Sequence, residues 1–190
     1  YALDKDMVNE FVAGGNGTLI SSAMLPTLKD YYEDLNDLYG TSANVEKAKE
    51  LLAEAGYPNG EGFPAVEYMY NTDDRHKAIA EALQNMWQTE LGVTVNLSNQ
   101  DWNVFLKSRK DGDFQIARNG WIADYNDPCS FLDMWYTGGG NNDAQYSNPE
   151  YDALIDAAKA TSDQTERMAA FHKAEDLLIG QDSVLAPIYF

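Results

Sequence analysis

"AVEYMYNTDDRHKAIAEALQNMWQTELGVTVNLSNQDWNVFLKSRKDGDFQIARNGW", Ala65 to Trp121, decides the fold. "AVEYMYN" carries the β-branched and aromatic side chains of a strand. From Asp73 to Leu91 the period lengthens to that of a helix, and Ile79, Ala80, Leu83, Met86 and Trp87 fall on one face. "GVTVNLSNQ" returns to alternation, with Val93, Val95 and Leu97 on one side. "DWNVFLKSRK" reads as a helix with Trp102, Phe105 and Leu106 on its apolar side, and "DFQIARNGW" as a third strand after the turn "DGD". Strands that alternate with helices need crossovers, and crossovers make parallel neighbours. The expected class is α/β, a mostly parallel sheet flanked by helices.

The flanks follow the same reading. Asp4 to Ala13 is a short helix that Gly14 and Gly15 stop, and Asn16 to Tyr39 is irregular. Asn44 caps a helix through Ala55. Asp127 to Tyr136 forms another helix, with Pro128 in its first turn. "TGGGNND" is a loop. Helices follow at Pro149 to Ala160 and Asp163 to Ile179, the second opened by a capping box of Asp163 and Glu166. "SVLAPIYF" closes the chain as a strand. Residues 1–190 read as a single domain whose two ends both look cut from a longer chain.

Composition limits the function. The 31 acidic and 13 basic residues give a net charge of −18, which opposes binding to nucleic acid or anionic lipid. No apolar run approaches the ~20 residues of a membrane span. One cysteine, Cys129, excludes an internal disulfide and a thiolate zinc cluster. At a helix start it could be activated by the dipole, but a small, partly buried thiol is the expectation. His76 and His172 lie on different helices, and His172 reads as a surface residue. "DYNDPCSFLD" fails as a calcium loop because Pro128 takes a ligand position and the Gly and Glu are absent. Asn16-Gly17-Thr18 and Asn96-Leu97-Ser98 fit the glycosylation triplet, a pattern common by chance. No nucleophile elbow occurs. Asp124 and Asp127 could be the two carboxylates of a glycoside hydrolase, but Asp127, just before Pro128, is placed to cap a helix. An enzyme is not expected, and no cofactor or metal is implied.

"RNGWIADYNDPCSFLDMW", Arg118 to Trp135, supports binding instead. Parallel strands present ligand-facing residues at their carboxyl ends, and Arg118 stands where the third strand ends. Asp124, beside Trp121 and Tyr125, is expected to be half-buried and suited to an ammonium group, with cation–π support from the rings. Arg118 could grip a carboxylate with two nitrogens. An internal Arg118–Asp124 salt bridge explains the same residues equally well.

Beyond these local readings, the stretch from "YNTDDRHKAIAEALQNMW" through "RNGWIADYNDPCSFLDMW" strongly resembles the extracytoplasmic oligopeptide-binding proteins of ABC importers. "NVEKAKELLAEAGYPNGEGFP", "YSNPEYDALI" and "APIYF" match as well, so the likeness covers nearly the whole chain. The resemblance implies one lobe of a type II periplasmic-binding-protein fold, from the C-terminal half of a longer two-lobed receptor. It implies a periplasmic or lipid-anchored receptor, monomeric at full length, that delivers peptides to permease subunits. Within it, Asp124 matches the aspartate that meets the peptide's ammonium group. Trp121 and Ile122 match groove-lining positions, and Arg118, Arg109 and His76 match the cations that receive C-termini of peptides of different length. Cys129 lies past the motif's proline, and Ile122 stands where some relatives carry cysteine. The family also includes receptors for dipeptides, nickel, haem and oligosaccharides; Asp124 with Arg118 favours peptides.

Overall fold

The computed structural model describes residues 1–12 and 42–189, without the side chains of residues 11 and 12. The expected glycine stop at Gly14–Gly15, the irregular stretch Asn16–Tyr39 and the first glycosylation triplet lie outside these residues. Two compact units make up the described chain, one centred on residues 40–119 and one on 120–188.

The first unit is built around a parallel sheet, and its first two strands are each followed by a helix. It opens with α1 (Lys5–Val12) and α2 (Val45–Glu54). As expected, Asn44 caps α2, its side-chain oxygen accepting the Lys47 N–H at 3.1 Å. Strand β1 (Val66–Asn71) leads to α3 (Asp74–Leu91), then β2 (Val95–Gln100), α4 (Trp102–Asp111) and β3 (Ile116–Ala117). The sheet order is β2–β1–β3, all parallel, with Val66 opposite Val95 and Tyr68 opposite Ile116. β1 is therefore central, and its Tyr68, Met69, Tyr70 and Asn71 are all buried. Ile79, Ala80, Leu83 and Met86 of α3 pack into the core with Val93, Val95 and Phe105.

Local chemistry sets the ends of α3. The Asp73 carboxylate accepts the N–H groups of Arg75 and His76 at 2.9 and 3.1 Å, satisfying two donors that the first turn leaves unpaired. Gly92 ends the helix with φ 68°, the left-handed conformation in which a side chain is strained.

Two expectations need correction here. On α4, Phe105 is fully buried, but Trp102 is 48% exposed and Leu106 is 39% exposed. Trp102 is stacked on Phe105 from outside, with ring centroids 6.0 Å apart. The third strand is also far shorter than "DFQIARNGW". The side-chain oxygen of Gln115 takes the Glu67 N–H at 2.6 Å, where a longer strand would use backbone, and pairing resumes with Arg118 N–H to Met69 O at 2.9 Å.

The second unit is helical. It contains α5 (Cys129–Leu132) with a 3-10 turn at Asp133–Trp135, then α6 (Pro149–Ala160) and α7 (Gln164–Glu175). The helix read through Ile179 instead widens into a π turn over Asp176–Gln181. Phe131, Leu132, Trp135, Tyr151, Ile155, Phe171 and Leu178 form its core. Tyr151 is fully buried, and its hydroxyl donates to the Leu132 carbonyl at 2.6 Å, which satisfies the one polar atom it brings inside.

The capping box forms by half. Asp163 accepts the Thr165 and Glu166 N–H groups, but the Glu166 carboxylate accepts from the Thr161 hydroxyl instead of the Asp163 N–H. The segment from 182 to 189 is not a strand; it forms one bridge at Tyr189. The Asp182 and Val184 N–H groups instead bond the Leu177 and Leu178 carbonyls, so this segment wraps the end of the helical unit.

Candidate ligand-binding site

Three expected site residues, His76, Arg109 and Arg118, belong to the first unit. Arg118 follows β3 directly, its backbone held by Met69 of the central strand. It is half-buried, and no carboxylate among the described residues of the first unit forms an ion pair with it, Asp73 acting on it only as a weaker, opposing charge. Burial lowers its guanidinium from the ordinary arginine range, and the Arg109 charge lowers it further. Arg109 comes from the last turn of α4, with its guanidinium 5.4 Å from the centroid of the Phe105 ring. His76 comes from the first turn of α3. Burial and the Arg118 charge push its imidazole below the usual histidine range, against Asp73 and the Asn71 carbonyl, which favour the charged form.

These three residues therefore act on one another: Arg109 on Arg118, and Arg118 on His76. In a chain of net charge −18 this gathers positive charge around Arg118, at the end of β3. A half-buried guanidinium without a carboxylate, beside a second cation, is an environment that an incoming anion relieves.

The second unit holds Trp121, Ile122, Asp124 and Tyr125. The segment is extended and alternates: Trp121 and Ala123 pack on the helical core, whereas Ile122 and Asp124 are exposed, Ile122 by 90%. The expected half-buried aspartate is thus an exposed one within its own unit. The indole N–H of Trp121 is buried without a partner among the described residues. The buried Ser130 hydroxyl accepts the Asp124 N–H at 2.9 Å and fixes the backbone there. The Asp124 carboxylate makes no hydrogen bond or ion pair among the described residues of the second unit. Tyr125 is 51% exposed.

Asp127, Pro128 and Cys129 play the structural parts expected of them. Asp127 Oδ1 accepts the Cys129 N–H at 2.9 Å. Cys129 is buried, and burial raises its thiol, so it is not an activated nucleophile. Sequence reasoning missed Ser130 and Arg167. Their partners lie six and forty residues away, at spacings that no local pattern marks. His172 is half-buried, not at the surface. Among the described residues no group of three or more His, Cys, Asp or Glu could hold a metal ion, and no helix is long and apolar enough to cross a membrane.

Comparison with known proteins identifies the family of the chain. Residues 1–143 match the model of the bacterial extracellular solute-binding proteins, family 5 (middle part). The oligopeptide-binding protein OppA of Bacillus subtilis is 38% identical over 195 aligned residues, covering all of this chain and 35% of that protein. The periplasmic oligopeptide-binding protein OppA of Salmonella typhimurium is 43% identical over 145 residues, 76% of this chain and 26% of that protein. The crystal structure of Haemophilus influenzae OppA in complex with RPPGFSPFR superposes with a TM-score of 0.87 at 32% identity, covering 99% of this chain and 37% of that one. The chain spans about a third of the length of these relatives. It belongs to family 5 of the bacterial extracellular solute-binding proteins.

Proposed function

We propose that this chain is the part of an extracytoplasmic receptor that reads the two charged ends of a peptide, for delivery to the permease of an ABC transporter. The observation that carries the reading is Arg118, half-buried without a carboxylate in its unit and beside Arg109 and His76. A peptide carboxylate supplies the missing anion. Asp124, with its carboxylate unengaged in its own unit, takes the ammonium group, and Trp121, Ile122 and Tyr125 line the groove. The named relatives bind oligopeptides, which supports peptides over the family's other ligands.

Capture in this reading involves no covalent chemistry. Affinity comes from charge-assisted hydrogen bonds and from closure around the ligand. The test is calorimetry on a receptor of the relatives' full length, with tetra-alanine and its C-terminal amide. Micromolar binding of the free acid, clearly weakened by amidation, is expected. Equal binding of both would remove Arg118, Arg109 and His76 from the carboxylate role. The 190-residue chain alone is expected to bind weakly, because it offers fewer contacts to offset the entropy lost on association.

A further inference from the structure

The carboxyl edge of β1 and β2 carries a second chemistry besides its positive charge. Asn71 and Gln100 end these strands and are register partners, so their side chains rise from adjacent positions. Asn71 is only 8% exposed. Its Oδ1, the Oε1 of Gln100 and the Nδ1 of His76 are all buried and make no hydrogen bond among the described residues, although Nδ1 has the Asp73 carboxylate 4.0 Å away. The backbone beside them is fully paired: the Thr72 N–H reaches the Gln100 carbonyl at 2.8 Å. The neighbouring side chains are paired too, the Thr72 hydroxyl donating to Asn99 Oδ1 at 2.8 Å. The two amide oxygens are thus left over at this corner, with the His76 imidazole beside them.

Native proteins leave few buried polar side-chain atoms without a partner, and clustered exceptions mark an absent ligand or solvent. Parallel sheets bind their ligands at this edge. We propose that Asn71, Gln100 and His76 line a polar subsite that takes an uncharged hydrogen-bonding group of the ligand, an amide or a hydroxyl. The charges at the corner restrict the guest. Arg118 and Arg75 both act on His76 and oppose an ammonium group there. The amide oxygens of Asn71 and Gln100 can only accept, so a carboxylate gains nothing from them and is better served by Arg118. An amide or hydroxyl donates to these two oxygens and accepts a hydrogen bond in return. This inference rests on the peptide reading and adds to it a selectivity for glutamine-like or threonine-like side chains.

The test is affinity measurement on a receptor of the relatives' full length. Tetra-alanine is varied one position at a time to Gln, Thr, Leu, Glu and Lys. At one position Gln or Thr is expected to exceed Leu by about tenfold, the scale of one net hydrogen bond. In Gln100→Met and Asn71→Leu that ratio is expected to fall to near one. Should Asn71→Leu fail to fold, Gln100→Met, at a half-buried position, decides alone. Peptides that bind with no such preference at any position, as when solvent fills the corner, overturn this inference and leave the peptide reading intact. A ratio unchanged in Gln100→Met also overturns it. Failure of every peptide to bind overturns the peptide reading and this inference with it.

Discussion

Arg167 grips Asp127 with both terminal nitrogens, at 2.8 and 2.6 Å, while the same carboxylate holds the Cys129 N–H. The guanidinium also lies 4.9 Å from the centroid of the Phe171 ring. One carboxylate thus holds the first N–H of α5 and ties that helix to α7. Arg167→Ala is expected to destabilise the second unit by about 2 kcal/mol, the scale of hydrogen bonds to a charged group, read as a lower urea midpoint. Burial tends to raise the Asp127 carboxyl, but Arg167 and the Cys129 N–H outweigh it and hold it below the usual carboxylate range. The contribution is therefore present above an unfolded value near 3.8 and is lost as pH falls through the lower folded value. In Arg167→Ala the acid-unfolding midpoint moves up.

His76 titrates with the same sign but in a higher window. Its folded value lies below the ordinary 6.5, chiefly from burial and then from Arg118. The unfolded chain therefore binds the proton more readily. Stability is full above pH 6.5 and falls as the pH drops toward the folded value. His76→Gln removes this part of the pH dependence, which thermal melts across the range from pH 7 to 5 would show. Melts that keep the wild-type slope in His76→Gln would show that another group titrates.

Arg118 is expected to serve binding at the expense of stability. Arg118→Met keeps the aliphatic contacts but removes a half-buried charge set against Arg109. The variant is expected to be as stable as wild type or up to about 1 kcal/mol more so, while losing affinity for peptides with a free carboxylate. A marked loss of stability would mean that Arg118 has a structural partner.

Gly92 tests the packing of the first unit. A Cβ there would collide with the Asn59 carbonyl oxygen, and one at Gly60 would meet the backbone of Leu91 and Gly92. The two glycines let the turn at Pro58–Gly60 lie directly on the end of α3. Gly92→Ala is expected to cost about 2 kcal/mol or more, from the positive φ together with the collision, measured by denaturant unfolding.

Period and caps made the first unit legible in the sequence. The strand around Val95, the helical period from Ile79 to Met86 within Asp73 to Leu91, and the Asn44 cap all stand where the structure has them. What escaped depends on distant partners. Gln115 shortens β3 through its side chain, and the last residues wrap a helix end, where composition alone reads as strand. In the site, residue type marked Asp124 and Arg118, and family resemblance added Arg109 and His76. Exposure was misread because the alternation of Trp121 and Ala123 inward with Ile122 and Asp124 outward separates neighbours that composition groups together. The corner of Asn71 and Gln100 left no trace, since an unpaired atom is visible only once its surroundings are.

The central claim is that Asp124 takes the ammonium end of a peptide. Calorimetry on the full-length receptor tests it most directly, with Asp124→Asn against wild type and with each peptide free or N-acetylated. The account predicts that Asp124→Asn costs the free peptide about 2–5 kcal/mol, the scale of a charge pair desolvated on binding, and costs the acetylated peptide far less. Equal losses for the two peptides, or none for the free one, would contradict it.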